Sequence, residues 1–172
     1  MSSYGYEINT TLQLYKKLLD EREDFLKNPT SSRFAMNCAL TGWHLREWIF
    51  NEYRSNRIIR DFKNINEFRK YLFKKCDDLK LFRDLADGSK HFLIDKRPFK
   101  VTKTEVRPSG SELGFKNILE TPTLIISFKI STVGAIVTFD DVLYVVTSFW
   151  HEFIKKELES DVDSISDGYS LF

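Results

Sequence analysis

Along the first part of the chain, apolar residues recur every three or four positions. Ile8, Leu12, Tyr15, Leu19 and Leu26 make one stripe, while Lys16, Lys17, Asp20, Glu21 and Glu23 fill the other faces. That period predicts a helix over residues 6–27, and Asn28-Pro29 stops it because proline has no amide hydrogen to donate. Thr30-Ser31-Ser32 offers N-cap hydroxyls for a second helix over 32–53. This helix is apolar on nearly every side, which predicts a central position. Its polar stripe is Asn37, Thr41, His44 and Asn51, at offsets that share one face. Asn64 with Glu67 three residues later reads as a capping box for a helix over 64–75, burying Phe68, Tyr71, Leu72 and Cys76. A fourth helix, 78–91, starts at Asp77 or Asp78 and is carried by Leu79, Phe82, Leu85 and Ala86.

Beyond Phe92 the period shortens. Phe99 to Val106 alternates like a half-exposed strand, a loop covers 107–121, and Leu124–Ile130 and Val133–Phe139 predict an antiparallel hairpin turning at or near Ser131-Thr132. Thr138 and Asp141 then cap a last helix over 139–159, with Val142, Val145, Val146, Phe149, Trp150, Phe153 and Ile154 as its apolar stripe. The acidic, serine-rich tail 160–172 is expected to fray. The expected fold is one domain over 1–172, α+β by class and helix-dominated. It is a helical bundle with a small antiparallel β-sheet insertion at 92–138, before a C-terminal helix. In it, the first two helices pair as an antiparallel hairpin.

Composition adds a large core. Fifteen Phe, seven Tyr and three Trp among 172 residues supply much apolar area. A net charge of +1 exerts no general pull toward nucleic acid or membrane. No run approaches the ~18 apolar residues of a spanning helix, so no membrane partner is expected. Met1-Ser-Ser-Tyr-Gly-Tyr lacks the basic and apolar regions of a secretion signal, which points to the cytoplasm. Cys38 and Cys76 then read as buried free thiols. The common phosphate-loop, dinucleotide, zinc-protease, thiol-redox and nucleophile-elbow motifs are missing. His44, His91 and His151 show no metal-ligand spacing, so neither a metal nor a cofactor is expected. Residues 54–75 are basic. Arg54, Arg57, Arg60, Lys63, Arg69, Lys70, Lys74 and Lys75 face only Asp61 and Glu67, as a solvated face or a surface for an anionic partner such as RNA.

Candidate chemistry concentrates between Leu81 and Phe92. Arg83, Asp87, Lys90 and His91 share one face if the helix runs through Gly88; if Gly88 ends it, Lys90 and His91 lie on the following turn. The plain reading pairs Arg83 with Asp87. The sharper one notes that Arg can grip phosphate bidentately and His can exchange a proton near neutral pH. The second helix, Ala35-Met-Asn-Cys-Ala-Leu-Thr-Gly-Trp-His-Leu-Arg-Glu-Trp48, and the segment Asp84-Leu-Ala-Asp-Gly-Ser-Lys-His-Phe92 resemble a group of uncharacterised bacterial proteins. Those proteins carry a Trp-His-Leu-x-acidic-Trp helix and a Gly/Ser-Lys-His-Phe element. The pairing is more distantly similar to the HEPN superfamily of helical bundles, which cleave RNA without metal, often across a dimer interface.

That resemblance implies a prokaryotic module associated with RNA or phage defence, with catalytic Arg83, Asp84 and His91. Asn37, His44, Asp87 and Lys90 are candidate substrate-binding residues on the stripe and face described above. Arg83 and His91 stand about one residue further apart than the HEPN pattern, and a glycine intervenes. The alternative is a non-catalytic, homodimeric interaction module. Trp43 and Trp48 are expected in the core rather than as base-stacking platforms. If helices two and four pack antiparallel, the stripe from Asn37 to His44 either faces Arg83 and His91 or simply sees water.

Overall fold

The structure, a computed structural model, describes residues 8–88, 101–108, 126–132, 135–166 and 169. It is helix-dominated, and its core is built around one nearly all-apolar helix. That helix, α2 (Ser32–Glu52), buries Ala35, Cys38, Ala39, Leu45 and Ile49 and packs against α1 (Thr11–Lys27), α3 (Ile65–Lys75), α4 (Leu79–Gly88) and α5 (Phe139–Glu157). α1 and α2 run antiparallel, since the Glu52 carboxylate at the end of α2 accepts the Thr11 N–H at 2.6 Å at the start of α1. α1 begins at Thr11 rather than at residue 6 because Thr10 and Gln13 form a reciprocal capping box there. Leu26 is exposed, and Phe25 takes its expected place in the core. Asn64 caps α3 through the N–H groups of Asn66 and Glu67, while the Glu67 carboxylate turns back to the Lys63 N–H at 3.0 Å. Phe68, Leu72 and Cys76 are buried as the spacing requires, with Tyr71 half-buried.

Three strands, β1 (Val101–Pro108), β2 (Ile126–Thr132) and β3 (Ala135–Thr138), pair antiparallel in the order β1-β2-β3. Thr132 pairs with Ala135, so Ser131 and Thr132 belong to the strand and the turn comes just after them. β1 runs two residues past the Val106 end that the alternation suggests, so the loop expected over 107–121 begins inside it. β3 runs directly into α5, where the Thr138 hydroxyl accepts the Asp141 N–H. Phe139 then drops into the core between Phe25, edge-on at 5.0 Å, and Phe82, stacked at 5.8 Å. The Trp150 indole N–H donates to the Gly42 carbonyl at 3.0 Å, which locks α5 to α2. Leu143 is buried and Val145 is 41% exposed, the reverse of the expected stripe at those two positions.

The C-terminal segment does not fray over its described part. Glu159 takes a left-handed φ of 54°, and the Ser160 N–H closes on the Ile154 carbonyl, which turns the chain back along the bundle. Val162 is fully buried, and α6 (Asp163–Ser166) follows. Asp163 meets Lys155 at 2.7 Å and His151 at 3.3 Å, and the Tyr169 hydroxyl donates to Asp20 on α1. The acidic tail is held because its own Val162 enters the core and a histidine–lysine pair on α5 lies within reach of Asp163. Both cysteines are buried free thiols. Burial pushes the Cys76 thiol up to about 11 and the Cys38 thiol higher still.

Candidate functional site

Arg83 lies on the face of α4 turned toward α3. Its Nε donates to Oδ1 of Asp84 at 2.8 Å, its Nη2 ion-pairs with the same oxygen at 2.6 Å, and the Asp84 side chain is fully buried. The expected partner, Asp87, is not the one it uses. Consecutive side chains on a helix diverge by about 100°, so the contact forms only because Arg83 is long enough to fold back along the buried edge. A guanidinium hydrogen-bonded and ion-paired to a buried carboxylate is held in place, unlike a surface arginine.

The same guanidinium sits 5.3 Å from the ring centre of Phe73 on α3, and Lys80 Nζ lies 5.7 Å from the same centre. On α2, Trp43 stacks on Phe73 with ring centres 5.8 Å apart and planes 7° from parallel. Arg46 in turn covers Trp43 at 3.7 Å. Three helices thus contribute to one ladder, Arg46–Trp43–Phe73–Arg83, with a cation at each end. Burial lowers the Arg46 pKa to about 10; Glu47 opposes that shift and Arg69 adds to it. Glu47 accepts from Arg46 Nη2 at 3.0 Å and lies 3.4 Å from His44 Nδ1, while Arg46 Nε and Nη1 are buried without a hydrogen-bond partner among the described residues.

The polar stripe of α2 points elsewhere. Thr41 is buried and accepts from Lys17 of α1 at 2.8 Å. Gly42, one residue on, faces Phe82 of α4, and Trp43 faces Phe73 and the ladder. Thr41 and Trp43 are therefore about 200° apart around the helix, and the stripe lies along α1 rather than beside Arg83. Asn37 and His44 are both half-buried on that side, and His44 meets Glu47, which accepts from Arg46 of the ladder. Asp87 is half-buried one turn beyond Arg83. Lys90 and His91 lie outside the described residues, as does any continuation of α4 past Gly88. Arg83 and Asp84 are thus brought together, and Asn37 and His44 are not brought to them. Arg46 and Phe73 are the additions. The spacing of Trp43 and Arg46, three apart on one helix, is the only sequence signal for either, because Phe73 enters from a different helix.

A second feature is an open groove of about 480 Å³ where the α3–α4 junction meets α5, lined by Lys75, Cys76, Asp77, Tyr144, Val145 and Phe149 among others. Tyr144 and Val145 are exposed at its edge. Among the described residues no group of three His, Cys, Asp or Glu side chains could hold a metal ion, and no helix is long and apolar enough to cross a membrane. Compared with known proteins, the chain matches no family model, no curated protein and no solved structure.

Proposed function

We propose that this chain is a HEPN-like prokaryotic module that acts on RNA, a metal-independent endoribonuclease associated with RNA or phage defence. The observation that carries the reading is the Arg83–Asp84 pair. A guanidinium held by a hydrogen bond and an ion pair to a buried carboxylate, beside a second cation on Phe73, is a preorganised donor for charge developing on a phosphate. In this reading Arg83 stabilises that charge, Asp84 positions it, and His91 exchanges the proton of the ribose 2′-hydroxyl or the leaving oxygen. Lys90 and Asp87 flank the substrate on the same segment. His44 acts at a distance, through the Glu47 and Arg46 contacts described above, and Asn37 binds substrate from the same stripe.

The test is purified protein against a mixed RNA pool in EDTA, alongside His91→Ala and Arg83→Gln. Cleavage in EDTA by the parent chain, lost in both variants while their unfolding transitions remain cooperative, is the expected result. Full activity in His91→Ala overturns the assignment. A second reading, a non-catalytic module that pairs with a second copy of itself, is favoured by exposed Tyr144 and Val145 beside the α5 groove. It predicts a sedimentation mass that falls from dimer to monomer in Val145→Glu and no cleavage in any variant.

A further inference from the structure

Charge pairing is not uniform over this molecule. Every lysine on α1, α4 and α5 has a carboxylate partner, as Lys16 has Asp20 and Lys155 has Asp163. The α3 segment breaks the pattern. Lys63, Lys70 and Lys74 are exposed, and among the described residues none of them has an acidic partner. Lys70 and Lys74 lie one turn apart, about 6 Å along the axis, where like charges destabilise a helix. The one acid of this helix, Glu67, is turned away to the Lys63 backbone N–H. Lys70 and Lys74 fall within about 40° of one another around the helix, and Lys63 stands just before its Asn64 N-cap.

Arg69 and Phe73 flank this line on the side toward α2 and α4. Arg69 is close enough to Arg46 to depress its pKa, and Phe73 carries Arg83. The unpaired line of cations therefore runs alongside the fixed Arg83–Asp84 pair rather than on a remote face.

We propose that this face of α3 is a track for the RNA phosphate backbone. Lys63, Lys70 and Lys74 each neutralise one phosphate and deliver the strand to Arg83. The inference rests on the reading of RNA as the substrate and adds the surface that holds it. Lysine suits such a track because it binds phosphate as a point charge without demanding one orientation. A basic run matched to phosphates also explains why its helix tolerates repulsion that the other helices avoid.

The track is tested by binding rather than cleavage. Fluorescence anisotropy of an end-labelled single-stranded 20-nucleotide RNA is followed between 50 and 300 mM salt, with the His91→Ala chain to prevent turnover and the same chain carrying Lys63→Gln, Lys70→Gln and Lys74→Gln. Each lost phosphate contact reduces the slope of log affinity against log salt by about 0.7 for single strands, so the triple variant loses about 2. Its affinity near 100 mM salt falls by tenfold or more. An unchanged slope in the triple variant, or no RNA binding by its parent, overturns the track. Lys16→Gln and Lys156→Gln, on α1 and α5, are the controls for non-specific charge, and an equal loss from them also overturns it. RNA bound through the track but never cut leaves this inference standing and removes the endoribonuclease reading, so the two failures are distinguishable.

Discussion

Gly42 of α2 touches both α4 and α5. Its carbonyl accepts the Trp150 indole of α5, and a Cβ placed on it would lie 2.6 Å from Cε1 of Phe82 on α4. Phe82 is itself fully buried and stacked on Phe139, so it has no free space to move into. Gly42→Ala is expected to destabilise the fold by about 1–3 kcal/mol through overpacking, despite the better helix propensity of alanine. A lower urea midpoint with an unchanged slope is the check. The same scale contains what the sequence could not show of the candidate site. Arg83 and Asp84 are neighbours in the chain, and helical geometry alone sends adjacent side chains apart. Only the burial of Asp84 against its surroundings selects the rotamer that folds the arginine back.

At the level of elements, starts and stops were largely legible because they depend on contacts within four residues. Ser31, Asn64 and Thr138 cap the helices their positions suggest, and the α1 start moved only because Thr10 and Gln13 make a stronger cap than the residues before them. The acidic tail was misjudged because its partners, Lys155 and His151, are on a helix that it reaches only in three dimensions. The unpaired lysines of α3 give an element-scale expectation. Lys70→Glu places a carboxylate one turn before Lys74, a favourable pair worth about 0.2–0.5 kcal/mol to the helix. It should leave thermal stability level or slightly raised while weakening RNA binding, a combination that general damage to the fold would not produce. Thermal melts read beside anisotropy decide it.

Over the whole molecule, the C-terminal segment straps α5 to α1. Asp163 holds it to Lys155 and His151, and Tyr169 holds it to Asp20. The Lys155 hydrogen bond, followed by the Lys155 and His151 charges, keeps the Asp163 carboxyl below its usual value. A lowered pKa means that the contact is fully present above the ordinary carboxylate value near ~3.9 and is lost as pH falls through the lower folded value. Amide exchange in residues 160–166 should therefore accelerate in acid ahead of the core helices. In Asp163→Asn that segment should exchange fast at neutral pH, with little further change on acidification. Exchange that rises together with the core in both proteins would show that the strap has no separate transition.

By itself the sequence determined the helical periods, the caps, the apolar character of α2 and the free buried thiols. These depend on backbone geometry and on neighbours close in the chain. It also displayed the basic run along α3, though not that, among the described residues, Lys63, Lys70 and Lys74 go unpaired while the lysines of α1, α4 and α5 find acids. Tertiary structure decided the rest. It chose Asp84 over Asp87 as the partner of Arg83, turned the Asn37–His44 stripe toward α1, stacked Trp43 and Phe73 between two arginines, and folded the tail onto α5. Each of those outcomes depends on which faces of separate helices meet, and packing sets that by filling the space around Gly42, Phe82 and Trp150. No local pattern of residues encodes it.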